Sequence, residues 1–320
     1  MSNRIVSRVR GRTLMTASWL ACRLPEGPLF RAAELAGDLW YRLAPDRAAQ
    51  ARRNLGRVCA SLAAGDRGTP AIRAGATDPV ALERLVRSAF RHNARYYLEV
   101  ARTPSVTRAF MDERLALDTP ELIAEATMPG KVALFVGMHF GSVELPVLFL
   151  AFRIGKTVTP METVDDPGLQ AWFERTRGVN GVQLVGLREA RRTLQDALRN
   201  GTSVGLVGDR DLTGGGVPVP LFGAPASLPM GPAMLAVESG VPVYGMGVRR
   251  AGNGHYRGRL VPVEVPADGT RRERVTITMT RLAESFERII EDAPDQWWAV
   301  FFPIWPDLEH DAASGLEDAP

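Results

Sequence analysis

Cysteine and lysine are scarce in this chain of 320 residues. Cys22 and Cys59 are its only cysteines. Two are too few for a disulfide framework, and both read as buried thiols of a reducing compartment. Lys131 and Lys156 are its only lysines, so the basic charge is nearly all arginine. The four histidines, His92, His139, His255 and His310, fall in separate elements. Zinc sites need three or four clustered ligands, so no metal site is expected. Long apolar runs are also missing. No window reaches the ~18 apolar residues of a spanning helix, and the most apolar stretch, Val132 to Phe152, is broken by His139, Glu144, Pro146 and two glycines. No signal peptide is expected: Thr13 to Leu24 is interrupted by Arg23 and lacks a clear cleavage site.

What remains is the composition of a globular protein, 45% hydrophobic and 23% charged, with length for one large domain or two modest ones. Net charge is only +3, but Arg4, Arg8, Arg10 and Arg12 load the first dozen residues with positive charge and no acid. Such a cluster is drawn to anionic lipid by about 1 kcal/mol per residue. A frayed, solvated terminus carries the same pattern.

The chain changes rhythm part-way. From Thr13 to Arg102 apolar residues recur at helical spacing, with Asp78-Pro79 as a start signal. The helix through Trp40 and Tyr41 mixes aromatic and basic residues, which suits either an interface or a core face. From about Pro129, short extended runs at 132–136, 157–160, 182–185 and 204–207 alternate with helical segments near 141–152, 167–177 and 188–199. A further helix (229–239), a strand (241–248), its hairpin return (255–265) and a last helix (272–291) follow. This alternation predicts an α/β fold with a mostly parallel central sheet flanked by helices, preceded by an N-terminal helical segment. The expected division is a helical, membrane-docking part over 1–128, a catalytic α/β part over 129–310, and a disordered acidic tail over 311–320.

The sharpest local feature is Gly137-Met138-His139-Phe140-Gly141-Ser142-Val143-Glu144, a histidine just past a buried strand and an acid five positions later. In open α/β sheets the carboxyl edge of the strands is where ligands collect. On one continuous helix the two side chains would stand about 140° apart, so they meet only if the chain turns at Gly141. Glu144 would then hold one ring nitrogen while the other takes a proton from a substrate hydroxyl, worth roughly 10² to 10⁴ in rate. A structurally capped histidine gives the same local pattern.

Two other motifs are weaker. Gly201-Thr202-Ser203-Val204-Gly205 matches the nucleophile elbow of serine hydrolases, but here a helix precedes and a strand follows, the reverse of what that elbow needs. Gly245-x-Gly247 lacks the third glycine of a dinucleotide loop. More informative is Gly208-Asp209-Arg210-Asp211-Leu212-Thr213-Gly214-Gly215-Gly216, charge at a strand end followed by a glycine turn. Pro229-Met230-Gly231-Pro232 then opens a helix, whose free N–H groups suit a phosphate or an oxyanion.

Taken in order, Arg52-Arg53-Asn54-Leu55, His139-x4-Glu144, Gly208-Asp209-Arg210-Asp211-Leu212, Phe222-Gly223, Pro229-Met230-Gly231-Pro232-Ala233 and Pro294-Asp295-Gln296-Trp297 with Trp305 resemble the bacterial lipid A biosynthesis acyltransferases of the lauroyl/myristoyl type. Within that group the chain looks most like the actinobacterial phosphatidylinositol mannoside acyltransferases, over nearly its whole length.

The resemblance implies a glycerolipid acyltransferase-like fold and a long-chain acyl transfer from acyl-CoA or acyl carrier protein to a glycolipid hydroxyl. It implies a peripheral enzyme on the cytoplasmic face of the plasma membrane, needing no cofactor and no nucleic acid. His139 would be the base, oriented by Glu144 or by Asp209, which falls where the mannoside enzymes tend to have Glu. The family more often has Asp at the place of Glu144. Substrate contacts are expected from Glu162, Arg175, Arg177, Arg210, Asp211, Phe222, Gly223 and Gly231. Arg177 matches a family position, and either Arg175 or Arg177 suits a phosphate. Leu145, Leu148, Phe149, Phe222 and Trp298 could line an acyl tunnel, or equally form core. The alternatives are a silent lipid-binding protein of the same fold and a serine esterase or lipase using Ser203.

Overall fold

The computed structural model describes residues 2–211 and 214–309, with the side chains of residues 2–5 outside that description. The acidic tail, His310, Leu212, Thr213 and the Arg4 side chain therefore lie outside the described residues.

Five helices come first: α1 (Ser2–Ala21), α2 (Glu26–Leu43), α3 (Pro45–Ala64), α4 (Pro70–Ala74) and α5 (Pro79–Arg102). Next are α6 (Arg108–Arg114), β1 (Leu115–Leu117), α7 (Pro120–Ala126), β2 (Leu134–Gly137) and α8 (Glu144–Ile154). The alternation continues with β3 (Thr157–Met161), α9 (Pro167–Arg177), β4 (Val182–Gly186), α10 (Leu187–Arg199) and β5 (Val204–Val207). It closes with β6 (Val217–Leu221), β7 (Ala224–Leu228), α11 (Gly231–Ser239), β8 (Val243–Gly252), β9 (His255–Val263) and α12 (Arg271–Ile290).

Seven strands form one sheet in the order β1-β9-β8-β2-β5-β3-β4, parallel at each pairing except the β8–β9 hairpin. The predicted α/β class and mostly parallel sheet are what the chain adopts. β2 is fully buried, as a continuous apolar run between sheet neighbours should be. The helix starts follow their signals. Asp78 accepts a bond from the Val80 N–H with Pro79 in the first turn, Asp166 caps Gly168 and Leu169, and Thr270 with Glu273 forms a capping box.

Three details differ from expectation. β1 lies inside the N-terminal part and pairs parallel with β9 at the sheet edge; three residues are too few to show a period. The stretch 217–228, where no element was expected, forms a separate antiparallel hairpin, β6–β7. Prolines are tolerated in a two-stranded ribbon with open edges. Finally, α8 begins at Glu144 rather than Gly141. Gly141 has φ +55°, and its N–H donates to the Gln296 carbonyl while the Ser142 N–H donates to the Val248 carbonyl. The loop after His139 is thus laid along β8 and the C-terminal segment rather than wound into helix.

α1 packs on α9 at a glycine pair. A Cβ on Gly11 would lie 2.9 Å from the Gly168 Cα, and the Ser7 hydroxyl donates to Asp166 at 2.9 Å. Of the two readings open for the helix through Trp40, the ring itself takes the core one, with centroids 4.8 Å from Phe90 and 5.5 Å from Phe301. The outward ridge of α2 is Leu35, Leu39 and Leu43, exposed by 69, 56 and 71%.

A Cβ added to Gly141 would sit 2.0 Å from the Val248 carbonyl oxygen, whereas one added to Gly155, also at positive φ, meets nothing within 4 Å. Gly155→Ala should therefore cost about 1 kcal/mol, the conformational penalty alone, and Gly141→Ala at least about 2 kcal/mol more. Urea denaturation of the two variants checks this; equal losses would contradict it.

Candidate active site

β2 and β5 pair in parallel with Leu134 opposite Val204 and Gly137 opposite Val207. Continued two residues past that last pair, the same register sets His139 beside Asp209 at the carboxyl edge of the sheet. The His139 Nδ1 lies 2.8 Å from Asp209 Oδ1, and the His139 backbone N–H donates to Oδ2 at 3.0 Å. The indole N–H of Trp297 donates to the same Oδ2 at 2.9 Å. The Asp209 side chain is only 1% exposed, whereas the His139 side chain is 21% exposed, on the cleft side.

Burial opposes ionisation of Asp209, but the His139 ring, the hydrogen bonds from His139 and the Trp297 indole together hold its carboxyl below the usual carboxylate range. A carboxylate there accepts a hydrogen bond from the Nδ1–H of His139, which fixes the proton on Nδ1 and leaves Nε2 as the free ring nitrogen. The ring is braced edge-on by Trp298, centroids 4.7 Å apart, and the Trp298 N–H donates to the His139 carbonyl at 2.7 Å.

Glu144 does not reach the His139 ring; its expected role as the orienter is corrected here. Its carboxylate accepts from Arg177 Nε at 2.8 Å, and Arg177 also donates to the Tyr96 hydroxyl at 2.7 Å. The turn at Gly141 brings Glu144 to the cleft, but the first residue of α8 points towards α9. Burial works against the Arg177 charge, and Glu144 with Tyr96 more than restores it. Two of the five guanidinium N–H donors of Arg177 are thus committed to Glu144 and Tyr96.

His139, Glu144, Glu162, Arg177 and Arg210 share one cleft of about 290 Å³. Glu162 is exposed at its rim. Arg210 stacks over the Phe302 ring at 3.8 Å and lies 5.4 Å from that of Trp298. Below His139 the cleft turns apolar, walled by Val147, Pro160, Leu184 and Met246 and floored by Gly137 and Gly205.

Other sequence-derived residues are placed elsewhere. Arg175 lines a wider, open groove with Trp19, Arg23 and Pro104, which contains no histidine. Asp211 accepts from the Gly216 N–H at 2.7 Å and from the Ser227 hydroxyl at 3.2 Å, bracing the glycine turn. Phe222 and Gly223 form the tight turn of the β6–β7 hairpin, both at positive φ, and the Phe222 ring is buried 6.1 Å from Trp297. Gly231 starts α11 away from the cleft. Of the proposed tunnel residues, Trp298 lines the cleft, while Leu148 and Phe222 are core and Leu145 and Phe149 face neighbouring crevices.

Sequence reasoning missed Trp297 as a donor to Asp209, Tyr96 as a partner of Arg177, and the two floor glycines. The Trp297 signal was present in the C-terminal tryptophan run, but its partner is 88 residues away.

The serine hydrolase reading fails on position. Ser203 is buried at the start of β5, the opposite end of the sheet from His139, and its hydroxyl accepts the Ala133 N–H at 3.2 Å. Among the described residues there is no cluster of potential metal ligands, and no helix is long and apolar enough to cross a membrane.

Residues 11–303 match the family profile described as bacterial lipid A biosynthesis acyltransferase. The chain is 28% identical over 307 residues to a phosphatidylinositol mannoside acyltransferase of Mycobacterium tuberculosis H37Rv, covering 94% of this chain and 90% of that protein. It is 27% identical over 225 residues to a protein of the same name from Mycolicibacterium smegmatis, covering 69% and 72%. Among solved structures, the 1-acyl-sn-glycerophosphate acyltransferase PlsC of Thermotoga maritima aligns with a TM-score of 0.36 and 18% identity, over 64% of this chain and 87% of that one. The profile spans most of the described residues, including the His139 and Asp209 loops, and the chain belongs to the bacterial lipid A biosynthesis acyltransferase family.

Proposed function

We propose that this acyltransferase moves a long-chain acyl group from a thioester, acyl-CoA or acyl carrier protein, to a hydroxyl of a glycolipid of the phosphatidylinositol mannoside class. The observation that carries the reading is the His139–Asp209 pair at the polar end of a cleft whose other end is apolar. A thioester needs both: an apolar space for its chain and a base for the attacking alcohol. The names of the mycobacterial relatives support the acceptor class.

In this mechanism the acceptor hydroxyl gives its proton to His139 Nε2 as its oxygen attacks the thioester carbonyl. The tetrahedral intermediate collapses, the C–S bond breaks, and the leaving thiolate takes the proton back from the imidazolium. Asp209, ionised and dry, fixes the ring orientation and stabilises its positive form. No side chain of the enzyme is acylated. Glu144 and Arg177 shape the cleft wall rather than move the proton.

The acceptor class resides in a bilayer, so the protein must dock on one. The α2 ridge of Leu35, Leu39 and Leu43, with exposed Arg31 and Arg42 beside it, suits a helix lying in the interface. Arg8 and Arg12 on α1 are exposed, as is Trp19 at its far end. This supports a peripheral attachment, placed on the cytoplasmic face by the thioester donor.

His139→Ala should keep the fold and lower turnover by about a hundredfold or more, since it removes the base. Glu144→Gln should cost less in kcat than Asp209→Asn but destabilise the protein by roughly 2 kcal/mol, because a charged hydrogen bond to Arg177 is lost. Acyl transfer from labelled acyl-CoA to a purified mannoside acceptor, paired with thermal melts, checks both. A fully active, well-folded His139→Ala protein would sink the mechanism.

Changing Leu35, Leu39 and Leu43 together to asparagine should weaken vesicle binding about tenfold or more and leave transfer to a detergent-solubilised acceptor intact. Co-sedimentation with anionic vesicles at low and high salt measures it. Binding of the wild type should weaken as salt rises. Unchanged binding by the triple variant would move the docking surface elsewhere.

A further inference from the structure

Two glycines create the apolar end of the cleft. Gly205 on β5 faces Val147 of α8, and Gly137 on the neighbouring β2 opens beside Met246, so side chains that would otherwise fill this space are missing. Gly205 lies four residues back along the chain from Asp209, roughly 13 Å at the rise of an extended strand.

One side chain reaches into this gap. Met246, on β8 beside β2, is nearly buried, and its Cε lies 3.8 Å from where a Gly137 Cβ would be and 3.6 Å from where a Gly205 Cβ would be. The thioether tip thus covers the glycine floor from the β8 side. Beyond it lies a second, wholly apolar cavity of about 30 Å³, walled by Leu117, Phe149, Leu150 and Leu260. The cleft and this cavity share two lining residues, Pro146 and Met246. Pro146 is fixed in the first turn of α8, whereas a methionine has three rotatable side-chain bonds and adapts to what it meets.

We propose that Met246 is the end wall of the acyl channel and sets the longest chain the enzyme accepts, with the cavity behind it as the space a longer chain would enter. The proposal rests on the acyl-transfer reading above. It explains why a buried strand position beside two glycines carries a long flexible residue: without its tip the two spaces would join.

Two substitutions act on the channel in opposite directions. Met246→Ala removes the wall and unites the cleft with the cavity. Gly205→Ala puts a methyl group into the channel, at ordinary contact distance from Met246 Cε (3.6 Å), Val147 Cγ2 (3.6 Å) and Thr157 Cγ2 (3.7 Å), so the fold accepts it and the chain does not. Each methylene gained or lost from apolar contact changes affinity roughly fourfold.

The test is kcat/KM for a series of saturated acyl-CoA lengths with wild type and both variants, alongside direct binding of free fatty acids of the same lengths. Met246→Ala should move the optimum at least two carbons longer, and Gly205→Ala should move it at least two carbons shorter. The fatty-acid binding order should shift in the same senses. Folded variants that keep the wild-type length order in both assays would overturn the proposal. If Met246→Ala does not fold, Gly205→Ala decides alone: a shortened optimum supports the wall and an unchanged one rejects it. Absence of transfer at every length by the wild type would instead overturn the acyl-transfer reading itself.

Discussion

A buried carboxylate accepting bonds from three donors is the interaction around which the catalytic edge of this protein is arranged. Asp209 sits just past the end of β5, its side chain buried from solvent, and it is kept charged by the His139 ring, the His139 backbone and the Trp297 indole. Two of the donors belong to His139 and the third to Trp297, far along the chain. The ring and backbone depend on in-register pairing of β2 with β5, and the indole depends on the C-terminal segment returning under the His139 loop. An ionised carboxylate without these partners would be costly to bury. The same groups that position the base thus tie the C-terminal tryptophans, β8 and the sheet edge into one unit.

Around this pair the other contacts divide labour. Glu144, Arg177 and Tyr96 hold α8, α9 and α5 together beside the cleft, a neutralised pair rather than a proton path. Gly141 permits the loop to lie against β8, where any Cβ would strike the Val248 carbonyl. The glycines of β2 and β5 open an apolar space within reach of the base. A polar end that activates an alcohol and an apolar end that shelters a chain are what acyl transfer between lipids requires.

Much of this was legible in the residues. The alternation of short apolar runs with helical segments predicted the α/β class because buried parallel strands have no polar face. β5 and α9 fall where the pattern set them, 204–207 and 167–177. His139 was legible from its place just after a buried strand. Its carboxylate partner was not: Glu144 is near in sequence, whereas Asp209 is 70 residues away and becomes a neighbour only through strand register. The resemblance to a known family kept Asp209 in view where local spacing could not. Phe222 and Gly223 show what a motif leaves out. They were expected at the substrate from the family motif, and their positive φ angles and the buried Phe222 ring give them a structural part as a hairpin turn. The place of Trp40 stayed open in the sequence because a half-apolar helix face has the same pattern whether it meets lipid or core.

The central claim is that Asp209 accepts a hydrogen bond from the Nδ1–H of His139 and so leaves Nε2 free for the acceptor hydroxyl. Nitrogen-15 NMR of protein labelled at histidine, with the His139 signals assigned by their loss in His139→Gln, reads the tautomer directly. The account predicts that neutral His139 is protonated at Nδ1 in the wild type, and that Asp209→Asn loses this single tautomer. A neutral His139 protonated mainly at Nε2 in the wild type would contradict it.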